Sequence, residues 1–248
     1  MSGDEEYYVE LYIDDFIKRS FRDIADQDYV AARILAREGL SFQFLWSGLQ
    51  AVEKYLKAIL LFNRVSTKNL SHDVEKSIER IETEVTNIAF DFPDDIRDFV
   101  VFLNRYGPNR YFEFESATYG TELLKLDRTV WYLRRYCHNL RQIHLPGGGM
   151  TAEFRENLLR VASHDPQKPW SASILGGHLE EILAKRSSTL RRHLVWKNFY
   201  FGGYKKRTIK WTSGVLVQTP THELHPTVFA RLEPLVTFSS AVKARFTQ

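Results

Sequence analysis

The chain has 248 residues, 44% of them hydrophobic and 14% aromatic, which is enough apolar material for one large globular domain or two small ones. One cysteine, Cys137, excludes an intrachain disulfide and a cysteine-based metal cluster. With no run of about 18 apolar residues and no basic-then-apolar leader, the expected setting is the cytoplasm, with no membrane association. The net charge of +3 hides an asymmetry: residues 1–145 hold 19 Lys and Arg against 24 Asp and Glu, giving −5, and residues 146–248 hold 15 against 7, giving +8. A basic half is the electrostatic footprint of a polyanionic partner; the alternative is that the −5 half docks on the +8 half.

Residues 1–20 read as a tail with an amphipathic turn or two, Val9, Ile13, Phe16 and Ile17 forming its apolar face. Asp26 or Asp28 is expected to cap a helix that runs to Arg37, and Gly39 breaks it. From Ser41 to Phe62 the apolar residues Leu45, Leu49, Val52, Leu56, Ile59 and Leu60 recur at helical spacing, predicting a long amphipathic helix paired with the preceding one. Asp73 caps a third helix bearing Val74, Ile78, Ile81, Val85 and Ile88, and Phe92-Pro93-Asp94-Asp95 opens a fourth through Leu103. Tyr106-Gly107-Pro108-Asn109 breaks the chain, Tyr111, Phe112 and Phe114 follow, and a helix is expected from Thr121 to about Ile143. Pro146 and three successive glycines mark the expected boundary between a region 1–145 and a basic region 150–248. In the second region, Ala152–Ser163 and Gly177–Leu194 read as helices. Leu194–Phe201 and Tyr204–Trp211 read as strands of a hairpin around Gly202-Gly203, followed by a strand at Val215–Thr219, an irregular stretch from Pro220 and a last helix near Leu235–Arg245.

Ala32-Arg33, the run Gln50-Ala-Val-Glu53-Lys54-Tyr-Leu-Lys57-Ala58 and the string Ser71-His72-Asp73-Val74 resemble HEPN domains over roughly residues 22–145. The resemblance implies a bundle of antiparallel helices that often dimerises, a nucleotide- or RNA-related role, and partners such as a nucleotidyltransferase or another toxin–antitoxin or defence component. Many HEPN proteins are RNases in which four to six residues lie between an Arg and a following His near the start of the final helix. Here three and two residues lie between Arg134 or Arg135 and His138, and two between Arg141 and His144, all too few; Arg186 and His193, with six between, fit the spacing but lie beyond the resembling region.

Three groups of residues carry candidate chemistry. Gln50, Glu53, Lys54, Lys57 and His72 could bind a nucleotide or phosphate, against the plain reading of surface ion pairs and a loop-fixing histidine. His138 with Arg134 and Arg135 offers a base and cations for metal-independent RNA cleavage if they converge, and Arg134 and His138, at i, i+4, are expected to share one face of the last helix. Arg191, Arg192, Trp196, Tyr204, Lys205, Lys206, Arg207, Lys210 and Trp211 interleave rings and cations as single-stranded nucleic acid requires, or else pack a small sheet. His222 and His225 lack further ligands, so no metal or other cofactor is expected. The whole reads as mainly α, a HEPN-like bundle followed by a small α+β segment with a β-hairpin. It is expected to bind nucleic acid or nucleotide without catalysis and to form a homodimer; the alternatives are an RNase built on His138 and a helical dimerisation scaffold.

Overall fold

The structure is a computed structural model that describes residues 3–86, 90–108, 116–118, 121–141, 156, 157, 159, 161, 174, 176–202, 215–217, 224–238 and 240–246. Mainly helical architecture is observed, as the periodicity requires. The first departure is at the start, where the expected tail is a helix, α1 (Gly3–Ile17). It passes through one π turn (Lys18–Arg22) into α2 (Asp23–Arg37) with helical backbone throughout, so neither Asp26 nor Asp28 caps a helix. Gly39, at φ +78, turns the chain into α3 (Ser41–Phe62). Tyr55 reaching Asp26 and Lys54 reaching Asp28 show that α2 and α3 run antiparallel.

α3 is the spine of the core. Its predicted stripe, Leu45 through Leu60, is buried, and Tyr55 and Phe62 join it. Against it pack α4 (Val74–Glu84), α5 (Asp94–Tyr106) and α6 (Thr121–Arg134), through Val74, Ile78 and Ile81, then Ile96, Phe99, Val100 and Leu103, then Leu123, Leu126, Val130 and Leu133. Asp73 caps α4 as expected, its carboxylate accepting from the Lys76 amide at 3.0 Å. Ile88 and the aromatics Tyr111, Phe112 and Phe114 lie outside the described residues.

The second half departs further from expectation. The Gly177–Leu194 stretch is two short helices, α7 (His178–Ala184) and α8 (Thr189–Val195). The C-terminal β-hairpin is not supported: Leu194 and Val195 end α8, Trp196–Phe201 forms turns, and Tyr204–Trp211 is outside the described residues. Asn198 accounts for the turns, because its carboxamide oxygen accepts from the Tyr200 and Phe201 amides at 2.9 and 3.0 Å. The expected strand after it exists as β2 (Val215–Val217), but it pairs antiparallel with β1 (Ser116–Thr118), Ala117 opposite Leu216. Pro226 starts a helix, α9 (Pro226–Leu232), capped by His225, and α10 (Ser240–Ala244) is shorter than the predicted terminal helix.

Buried arginines fix residues 174–201 to the bundle. Arg134 donates to both oxygens of Asp26 at 2.7 and 2.9 Å and to both oxygens of Glu180 at 2.8 and 2.7 Å, while Tyr55 also donates to Asp26. Arg33 pairs with Asp127 and donates to the carbonyls of His193 and Trp196. Tyr29 donates to Asp127 at 2.6 Å and accepts from Asn198 at 2.9 Å, and Arg22 reaches the Gly176 carbonyl at 3.2 Å. Leu179, Ile182, Leu194 and Phe201 thereby join the same apolar core.

Two consequences are measurable. Arg134→Met strands Asp26 in the interior and should lower unfolding free energy by about 3–5 kcal/mol in urea titration. Burial alone would raise the Glu180 carboxyl, but the charge and hydrogen bonds of Arg134 outweigh it and hold the group below its ordinary value. A carboxylate depressed in this way stabilises the fold above its unfolded pKa, and the contribution is lost as pH falls through the folded value. Acidification below the ordinary glutamate range should therefore speed amide exchange in 174–201, and Glu180→Gln should remove that pH-dependent part.

Candidate functional site

The first predicted group is brought together by α3 and the loop after it. Glu53 and Lys57 are one turn apart, and the Lys57 ammonium donates to Glu53 at 2.6 Å and to the Ser71 carbonyl at 2.8 Å. His72 places Nδ1 3.1 Å from both Glu53 oxygens. The Glu53 side chain is 6% exposed and that of His72 77%, so a sheltered carboxylate orients a ring that lies mostly in solvent. Gln50 and Lys54 meet on the neighbouring side, where Lys54 also pairs with Asp28 of α2 at 2.6 Å. Each of the two lysines thus has a carboxylate partner, and a phosphate would have to compete with Glu53 or Asp28 for them. Chemically the cluster locks the loop and presents an oriented imidazole.

The second group does not converge. α6 ends at Arg134, so Arg134 and His138 do not share a helical face. Arg134 is sealed between Asp26 and Glu180. Arg135 stacks over Tyr132 and Tyr136 at 4.3 and 4.7 Å, and His138 is only 5% exposed. Asn139 accepts from the Arg141 amide at 2.9 Å, a local turn that competes with continued helix.

The third group is partly within view. Arg191 donates to the Leu183 carbonyl at 3.0 Å and serves the α7–α8 turn. Arg192 is exposed, and Trp196, four residues later, directly follows α8. Tyr204, Lys205, Lys206, Arg207, Lys210 and Trp211 lie outside the described residues. Two residues that sequence reasoning missed complete the surface. The Arg37 guanidinium lies 5.4 Å from the Trp196 ring centroid and the Lys197 ammonium 5.0 Å, so one indole is flanked by two cations.

His193 senses this charge. Partial burial first, then the cations of Arg37, Arg192 and Arg33, push its pKa below the ordinary histidine value, against the opposing pull of Glu38. Its Nδ1 is buried with no hydrogen-bond partner among the described residues. Arg37, Arg192, His193, Trp196 and Lys197 therefore form one cationic, aromatic surface where the end of α2 meets the end of α8. A clue was present in the π turn and α2, where Arg22, Asp26 and Arg33 share the stripe of Ala25 and Tyr29: charges on an apolar face require partners from elsewhere in the chain.

Among the described residues no group of His, Cys, Asp or Glu is arranged to hold a metal, and no helix is long and apolar enough to cross a membrane. No curated protein and no solved structure matches the chain. The family model of the HEPN domain matches residues 19–132, from the π turn through most of α6. That match agrees with the antiparallel helices around α3 and the Glu53–Lys57–His72 cluster: residues 19–132 are similar to the HEPN domain.

Proposed function

We propose that this protein is a non-catalytic HEPN module that binds single-stranded nucleic acid, RNA foremost, through the surface around Trp196. The match of residues 19–132 to the HEPN domain supports a nucleotide- or RNA-related role in general. The observation that carries the finer reading is the indole flanked by Arg37 and Lys197, with Arg192 and His193 alongside. A base stacks on the ring while the cations follow the phosphates. The enclosure of Arg134 and His138 argues against cleavage by that pair, because a scissile phosphate would have to displace two carboxylates to reach Arg134. In this reading the protein acts as a homodimer in the cytoplasm, alongside a partner such as a nucleotidyltransferase within a toxin–antitoxin or defence system. Gln50, Glu53, Lys54, Lys57 and His72 form the secondary, nucleotide-sized site, accessible to a ligand that supplies its own cation or displaces the internal ion pairs.

Binding of labelled single-stranded RNA, followed by fluorescence anisotropy at several salt concentrations, tests this. Trp196→Ala should weaken affinity by about 1–3 kcal/mol, and the triple Arg37→Ala, Arg192→Ala, Lys197→Ala should lower the slope of log affinity against log salt by about 2. RNA should stay intact throughout. Cleavage that disappears in His138→Ala would overturn the non-catalytic reading.

The same titration should depend on pH. A bound polyanion offsets the cations that depress His193, so binding raises its pKa and takes up a proton. Affinity should rise as pH falls through the ordinary histidine range and below, and His193→Gln should flatten the dependence. An affinity that rises with pH would contradict the assignment.

A further inference from the structure

α1 lies before the matched HEPN region, and its outer face is unusual. Tyr8, Tyr12 and Phe16 stand at i, i+4 and i+8 and are 58%, 74% and 58% exposed, with Val9 and Ile13 exposed beside them. The opposite face is tied down: Arg64 pairs with Glu10 at 2.6 Å and with Asp14 at 2.8 Å, Arg141 also pairs with Glu10, and Ile17 is buried. These inward ion pairs fix the helix by one side and hold the aromatic stripe outward. Scattered exposed apolar residues need no explanation, but a contiguous stripe of this size marks an interaction surface.

The charges around the stripe identify its occupant. The helix starts acidic, at Glu5 and Glu6, and the rod turns basic at Lys18 and Arg19. Both pairs are equally spaced from Tyr12, as are Tyr8 and Phe16. An antiparallel copy laid across a two-fold axis at Tyr12 therefore sets Tyr8 on Phe16 and Glu5 near Arg19, each contact occurring twice. Arg19 at present pairs with Asp15 at 2.5 Å between largely exposed side chains, a bond of little worth that is readily exchanged. Three rings that each cover roughly 150–250 Å² when buried, with the two aliphatic neighbours and the charged flanks, bring each copy near the ~800 Å² per partner of a standard interface. A lipid surface fits less well, because helices that lie on membranes flank their apolar face with Lys and Arg, whereas Glu5, Glu6, Glu10, Asp14 and Asp15 make α1 acidic.

We propose that two copies of this chain associate through the outer faces of their α1 helices, antiparallel about Tyr12. The inference rests on the reading of the protein as a homodimer and names its interface. Sedimentation equilibrium of the full chain tests it. Tyr12→Asp should leave helicity unchanged and weaken dimerisation by about 30-fold or more. The double variants E5K/E6K and K18E/R19E should each self-associate more weakly than the unaltered chain, and an equimolar mixture of the two should recover dimers. Dimers that persist unchanged in Tyr12→Asp, or a mixture that fails to recover association, would overturn this interface while leaving the homodimer reading standing. An unaltered chain that is monomeric at micromolar concentration would sink both.

Discussion

Two guanidinium groups shut away from water hold this molecule together across its length. An arginine cannot shed its proton to escape the interior, so Arg33 and Arg134 are tolerable only where carboxylates meet them. α2 supplies Asp26, α6 supplies Asp127 and α7 supplies Glu180, and none of the three helices provides a complete set alone. Both arginines also engage residues more than 40 positions further along the chain, Glu180 in one case and the carbonyls of His193 and Trp196 in the other. The apolar contacts of Leu179, Leu194 and Phe201 add to this attachment without dictating its geometry, because hydrophobic contact is non-directional and a forked guanidinium is not.

The direction of those bonds bears on the surplus of positive charge in the second half. Docking of an acidic half on a basic half would consume the cations of residues 146–248. Among the described residues the bonds run the other way: the first half contributes the cations, Arg22, Arg33 and Arg134, and the second half contributes carbonyls and Glu180. Arg192 remains exposed, and Lys197 lies over the Trp196 ring. Anchoring the segment in this way sets its basic side chains beside Arg37, whose charge then adds to theirs.

Much of the bundle was legible in the sequence, because α3 repeats its apolar stripe over 22 residues and Asp73 and Pro93 announce the helices that follow. The Glu53, Lys57 and His72 grouping was equally legible, since one helix turn and one loop bring it together. The errors fell where a side chain bonded to backbone overrode periodicity. Asn198 folds an aromatic run into turns, and Asn139 sits where the helix from Thr121 had been expected to continue. The Trp196 surface needed Arg37, a residue 159 positions away in the chain, and no local pattern connects the two. α1 was underestimated for a related reason: the helix is held by ion pairs to Arg64 and Arg141, which lie on separate elements.

The π turn at Lys18–Arg22 places one surplus residue inside a rod that otherwise runs as a single helix from Gly3 to Arg37. Each residue of an α-helix advances the azimuth by about 100°, so this insertion sets the rotational phase between the outer and inner segments of the rod. Excising it would swing the tyrosines by over a quarter of a revolution and carry Glu10 and Asp14 away from Arg64. The surplus residue therefore works as a gear tooth, fixing which side of α1 looks outward once α2 has been seated.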